Sequence, residues 1–189
     1  MFNEIYLINS NFSYCIHEQN IFRAMVLQLI KIKLDMGNIE SFSIPEDHAW
    51  KLDVRLTSTN DVRTGVDLSA VDEVEIPNSR GMANMVLRVD KNDYATLKIQ
   101  PLPKIIKSSI SGTDCEKGDF VPVLAVECRG CEIQSWTPTG YYQVTTRSGS
   151  VFDEVDLSQG EWYEVDAETS EPVSIVSFSS KIDVHRGDR

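Results

Sequence analysis

The sequence predicts an all-β protein: a sandwich of two related antiparallel halves behind an N-terminal extension. Three observations predict it. Short runs of alternating apolar and polar residues, rich in β-branched and aromatic side chains, recur from Met25 onward. Turn signals separate them about every ten residues, the spacing of sandwiches. Strongly helical stretches are scarce, and residues 16–30 are the only tempting window.

The elements follow in order. Residues 1–24 are rich in Asn, Tyr and Phe and show no period of 2 or 3.6, so they read as an extension, mobile or loosely docked. Met25 then opens a single domain over 25–185, with pseudo-duplicated halves of about 25–110 and 111–185. In the first strand, 26–36, Ile30, Ile32 and Leu34 alternate with Lys31, Lys33 and Asp35. Further strands are expected at 49–57, 72–76, 85–90, 94–100, 104–110, 120–128, 131–136, 141–146, 161–165 and 173–180. In the run 120–128, both alternating sets are apolar: Val121, Val123 and Ala125 on one side, Leu124, Val126 and Cys128 on the other. That strand should be buried on both faces. Pro45-Glu46-Asp47, Pro77-Asn78, Ser111-Gly112, Lys117-Gly118-Asp119, Ser148-Gly149 and Gln159-Gly160 supply turns. A faint repeat lays Glu46–Leu56 on Lys117–Cys128, an acidic turn leading into an aromatic-led strand in both.

Composition narrows the function classes. The chain has 189 residues, 41% hydrophobic, and a net charge of −11 from 18 basic and 29 acidic side chains. One domain of this size has a real core. The acidic field repels phosphate backbones and anionic lipid, so neither nucleic acid nor membrane is expected as a partner. No apolar run reaches the roughly 18–20 residues that span a bilayer. The first residues, Met1-Phe2-Asn3-Glu4, carry no basic leader, so a cytoplasmic location and reduced cysteines are expected.

Candidate chemistry is sparse. Cys128-Arg129-Gly130-Cys131 is the one Cys-x-x-Cys, and the remaining cysteines, Cys15 and Cys115, stand alone. A structural zinc takes four ligands. Cys128 ends an apolar strand, where a thiol serves as a small hydrophobe. Cys15 and His17 make two ligands at best. The acidic pairs Asp72/Glu73, Asp153/Glu154 and Glu164/Asp166 sit in turn-like or alternating stretches and read as solvated faces. His17, His48 and His185 show no triad spacing, and no phosphate loop or dinucleotide fingerprint is present. The chain therefore reads as a non-enzyme with no catalytic residues. Trp50, Trp136 and Trp162 read as core anchors, and Tyr141-Tyr142 should put one ring on each face of its strand.

Four strings in register carry a resemblance: Arg80-Gly81-Met82-Ala83-Asn84-Met85-Val86, Glu127-Cys128-Arg129-Gly130, Phe152-Asp153-Glu154-Val155-Asp156-Leu157, and Trp162. Over about Met25 to Ile182 the chain resembles the eukaryotic CXXC-motif-containing zinc-binding protein family. The resemblance implies an all-β sandwich, one structural zinc and no established enzymatic activity. For one branch it implies association with the metal-binding domain of a copper chaperone. It also implies zinc held by two Cys-x-x-Cys pairs, whose positions in this chain are Leu56, Thr59, Val89 and Asn92. None is a cysteine, histidine or carboxylate, so the site is expected to be degenerate and zinc absent. Leu56 and Val89 should then meet in an apolar contact, with Thr59 and Asn92 hydrogen-bonded across the two turns. The expected function is protein interaction without zinc. The alternative is a zinc- or copper-handling protein that uses Cys128 and Cys131 together with a partner's ligands.

Overall fold

The computed structural model describes residues 25–185, apart from residues 103 and 117. The expectations for residues 1–24, including those for Cys15 and His17, lie outside the described residues. In chain order the elements are β1 (Met25–Gly37), β2 (Ile39–Ser43), β3 (Trp50–Leu56), β4 (Val62–Leu68), β5 (Val74–Glu75), β6 (Met82–Ala83), β7 (Met85–Asp90) and β8 (Asp93–Ile99). They continue with β9 (Ser109–Ser111), the helical turn α1 (Gly112–Glu116), β10 (Val121–Arg129), β11 (Cys131–Thr137), β12 (Tyr141–Thr146), β13 (Val151–Asp156), β14 (Trp162–Val165) and β15 (Pro172–Val184).

The fold is all-β and antiparallel. A six-stranded sheet runs β14-β15-β1-β10-β8-β7. A three-stranded sheet runs β11-β3-β4, a four-stranded one β13-β12-β2-β9, and β5 pairs with β6. Each of the three larger sheets draws strands from both ends of the domain, so their apolar faces enclose one common core.

β1 lies at the centre of the large sheet, with β10 on one side and β15 on the other. Ile30, Ile32 and Leu34 point into the core, while Lys31 reaches across to Asp183 at 2.8 Å. The tempting helix over 16–30 is strand from Met25 on, because alternation in β1 finds partners on both sides. β10 is buried from Val123 to Val126 on both faces.

Besides the two-residue β6, three longer strands escape a reading by propensity. β2, β4 and β13 are rich in Glu, Asp, Ser or Gly, residues that weaken a local strand signal. They form because neighbours supply their hydrogen bonds: β12 for β2 and β13, and β3 for β4. Conversely, the run 104–110 shrinks to Ser109–Ser111. The N–H groups of Ile105 and Ile106 both donate to the Leu102 carbonyl, at 2.9 and 2.8 Å, which closes a turn instead of a ladder.

Candidate functional site

The four positions that the resemblance assigns to zinc ligands fall at two hairpin turns. Leu56 closes β3, and Thr59 lies in the turn to β4. Val89 lies near the end of β7, and Asn92 lies in the turn to β8. The first turn is tightly bonded. The Leu56 N–H donates to the Asp61 carbonyl at 2.8 Å, and the Asn60 N–H returns to the Leu56 carbonyl at 2.9 Å. Asn60 adopts φ 61°, a left-handed conformation that asparagine tolerates better than most residues. The Thr57 N–H donates to the Gly130 carbonyl at 3.0 Å, tying this turn to the Cys-x-x-Cys corner.

The side chains divide into two kinds. Leu56 is fully enclosed in the core, and Val89 is half-buried against the same core. Thr59 and Asn92 are exposed. The expected hydrogen bond across the turns is replaced by a local one: the Thr59 hydroxyl accepts from the Asp61 N–H at 3.3 Å, two residues away. Zinc needs thiolate, imidazole or carboxylate donors. Two alkyl groups, a hydroxyl and a carboxamide do not fit it. Among the described residues no group of three or more His, Cys, Asp or Glu side chains is placed to hold a metal.

Cys128 and Cys131 flank Gly130, where the chain leaves the six-stranded sheet and enters the three-stranded one. Gly130 takes φ 70°, which lets the strand turn the corner. Cys128 lies between Val26 of β1 and Leu97 of β8, and Cys131 pairs with Leu56 of β3. Both thiols are buried. The Cys128 thiol donates to Gln28 Oε1 at 3.3 Å, and the Cys131 thiol donates to the Thr96 carbonyl at 3.7 Å. The neighbouring Cys131 thiol, together with burial, pushes the Cys128 thiol well above its ordinary range. A soft metal or an electrophile reacts with thiolate, so the Cys128 sulfur is held in the unreactive form.

Gln28 was not singled out by sequence reasoning. It is buried, and its amide imitates a strand: Oε1 accepts from the Ile133 N–H at 2.7 Å, and Nε2 donates to the Ile133 carbonyl at 3.2 Å. It thus joins β1 to β11 across two sheets. The available signal was a lone polar residue inside Leu27-Gln28-Leu29-Ile30.

Treated with a maleimide while folded, Cys128 and Cys131 are expected to react at least roughly tenfold more slowly than half-buried Cys115. All three should react at similar rates in denaturant. Peptide mapping of the modified chain reads this directly. Equal rates at Cys128 and Cys115 in the folded protein would show that the corner is open.

Asp166 corrects the reading of the acidic pairs. Asp72, Glu73, Asp153, Glu154 and Glu164 are exposed, but Asp166 is only 2% exposed. Its carboxylate accepts from Thr146 Oγ1 at 3.0 Å, Ser150 Oγ at 2.9 Å, the Ser148 hydroxyl, and the Glu168 N–H at 2.9 Å. The Ser148 bond, the Glu168 N–H and the other hydroxyls lower its pKa to about 2. The group latches the β14–β15 turn onto the β12–β13 turn, and sequence spacing of 16–20 residues concealed it.

Trp50 and Trp136 are buried with ring centroids 5.0 Å apart. His48 sits 5.0 Å from both Trp50 and Tyr142, and burial lowers its pKa against the opposing pull of Asp47. Tyr142 is wholly buried while Tyr141 is exposed, so the aromatic pair divides as strand alternation requires. Trp50, Trp136 and Tyr142 thus fill the core.

The family model described as "CXXC motif containing zinc binding protein, eukaryotic" matches residues 29–183. The chain belongs to this family. A UPF0587 protein of Dictyostelium discoideum is 39% identical over 169 residues, covering 84% of this chain and 97% of the relative. The CXXC motif containing zinc binding protein of Rattus norvegicus is 28% identical over 149 residues, covering 77% and 91%. Among solved structures, a hypothetical protein from Plasmodium falciparum superposes with a TM-score of 0.76 at 22% identity, covering 83% of this chain and 99% of that one. That likeness shows the fold, and the zinc named for the family's other members belongs to them. In this member of the CXXC-motif family, the Cys-x-x-Cys lies at the sheet corner, where Cys131 pairs with Leu56. No helix among the described residues is long and apolar enough to cross a membrane.

Proposed function

We propose that this chain is a zinc-less member of its family that works by protein interaction through its acidic surface, without enzymatic activity. The observation that carries the reading is Leu56. A position assigned to a metal ligand instead holds a fully buried alkyl side chain, so apolar packing serves at the hairpin. The charge distribution supports the second half of the reading. Residues 151–171 contain eight acidic side chains and no Lys, Arg or His. Seven of those eight are exposed. Such a field steers basic partners and repels phosphate-bearing ones. The metal-binding domain of a copper chaperone is the first partner to test, on family resemblance.

Elemental analysis of the chain purified without an affinity tag tests the zinc-less reading. Less than about a tenth of a zinc per chain is expected, against about one for a complete four-ligand site. In-cell cross-linking tests the interaction reading, with the expected outcome a reproducible protein partner whose yield falls as salt is raised. A chain that holds about one zinc, or that yields no partner at low salt, refutes the corresponding half. The alternative of metal handling draws support from the adjacency of the Cys128 and Cys131 thiols. The burial of both thiols and the raised pKa of Cys128 weigh against it. Copper or zinc that is retained by the wild type and lost in Cys128→Ser would establish it.

A further inference from the structure

The six-stranded sheet ends at β14, and among the described residues no strand covers its far side. The ladder to β15 dictates which groups face that open edge. Trp162, Tyr163, Glu164 and Val165 pair with Ile175, Ser174, Val173 and Pro172. Just beyond, the Asp166 N–H donates to the Glu171 carbonyl at 3.0 Å. Antiparallel ladders alternate bonded and non-bonded pairs, so Glu164 and Trp162 spend their main-chain groups on β15. Tyr163 and Val165 therefore turn theirs to the open side. Pro172, opposite Val165, has no N–H to give, in keeping with that alternation. Among the described residues, the Val165 N–H is met by its own neighbour Glu164, at 3.2 Å to Oε1.

The same two residues carry the outward side chains. Trp162 packs inward on Phe152, with ring centroids 5.3 Å apart. Tyr163 and Val165 face out, each 56% exposed, and on the adjoining strand Val176 is 49% exposed beside exposed Pro172. This is an apolar face at an unpaired strand edge. Natural edges are commonly guarded by inward or edge lysines, and this one has no basic residue between Val151 and Glu171. Its rim instead holds exposed Glu161, Glu164 and Glu171. A second copy of the chain would bring like carboxylates together along a β14–β14 pair, which disfavours self-association.

We propose that β14 is the docking edge for an extended, basic segment of a partner protein, which adds to the sheet as a further strand. Main-chain bonds to Tyr163 and Val165 would set its register. Apolar side chains on one face would cover Tyr163 and Val165, and Lys or Arg on the other would meet the glutamate rim. This rests on the protein-interaction reading above and names its surface.

The test titrates the full chain against a fluorescent peptide of roughly ten residues that alternates lysine with valine, with a glutamate–valine peptide as control. The lysine–valine probe is expected to bind, more weakly as salt rises, and the control is expected not to bind. Tyr163→Ser with Val165→Ser removes the apolar face without changing charge and should weaken binding at least about tenfold. Val165→Pro removes an N–H that the internal ladder does not use, and should do the same with the melting temperature preserved. Undiminished binding in both folded variants would overturn the docking edge, while leaving a general acidic interaction surface intact. No binding to the wild type at low salt also overturns it, whatever partner cross-linking finds elsewhere. A wild-type dimer dissolved by the double substitution would mean that a second copy occupies the edge, against the proposal.

Discussion

Leu56→Ala is expected to cost about 2–5 kcal/mol of folding stability, while Thr59→Ala, three positions along, should change it by less than about 0.5 kcal/mol. In a four-ligand zinc site the two positions would be equivalent, since loss of either ligand opens the coordination sphere. Here they are physically unlike. Leu56 is fully enclosed and pairs with Cys131 on the adjacent strand, so truncation leaves a cavity at the junction of β3 and β11. Thr59 is exposed and accepts a single local hydrogen bond at 3.3 Å, which water replaces readily. Urea unfolding midpoints of the two variants, with and without a chelator, read the difference. Equal losses, or a loss reproduced in the wild type by the chelator alone, would show that a metal holds this hairpin.

Tyr142→Ala is expected to cost about 3–5 kcal/mol, whereas Tyr142→Phe should stay within about 1 kcal/mol of the wild type or slightly above it. Tyr142 is among the largest wholly buried side chains. Its ring stacks at 5.1 Å from Phe42 and 5.0 Å from His48, so its removal unlocks two neighbours at once. The hydroxyl is different. It is buried without a hydrogen-bond partner among the described residues. Burial and the charge of Asp156 push its pKa well above the ordinary phenol range, which keeps the phenol neutral. Removing that oxygen therefore costs no bond and relieves a desolvation penalty. Thermal unfolding of both variants checks it. A phenylalanine variant as unstable as the alanine one would reveal a bound water bridging the hydroxyl to the protein.

Much of the fold was legible because strand alternation is a local code. Ile30, Ile32 and Leu34 declare the inward face of β1, and Tyr141-Tyr142 declare a strand with one buried face. The short signals failed where partners supply the reason for a strand. β13 carries Asp153, Glu154 and Asp156, and it is a strand because β12 holds it. Asp166 failed differently. Its acidic neighbours are solvated, and only the arrival of three hydroxyls from a separate turn makes it a buried latch.

For the site, residue chemistry by itself determined that Leu56, Thr59, Val89 and Asn92 lack a zinc donor set, because donor atoms are a property of side chains and need no coordinates. Composition likewise determined the acidic character of residues 151–171. The tertiary structure alone decided where those residues lie. It placed Leu56 against Cys131 across two strands 75 positions apart in sequence. It turned both thiols of the Cys-x-x-Cys inward, and among the described residues it left Tyr163 and Val165 on an unpaired edge. Burial and edge position arise from which strands pair across long sequence separations. A periodic pattern records which face of a strand is apolar, and it does not record which strand will lie beside it.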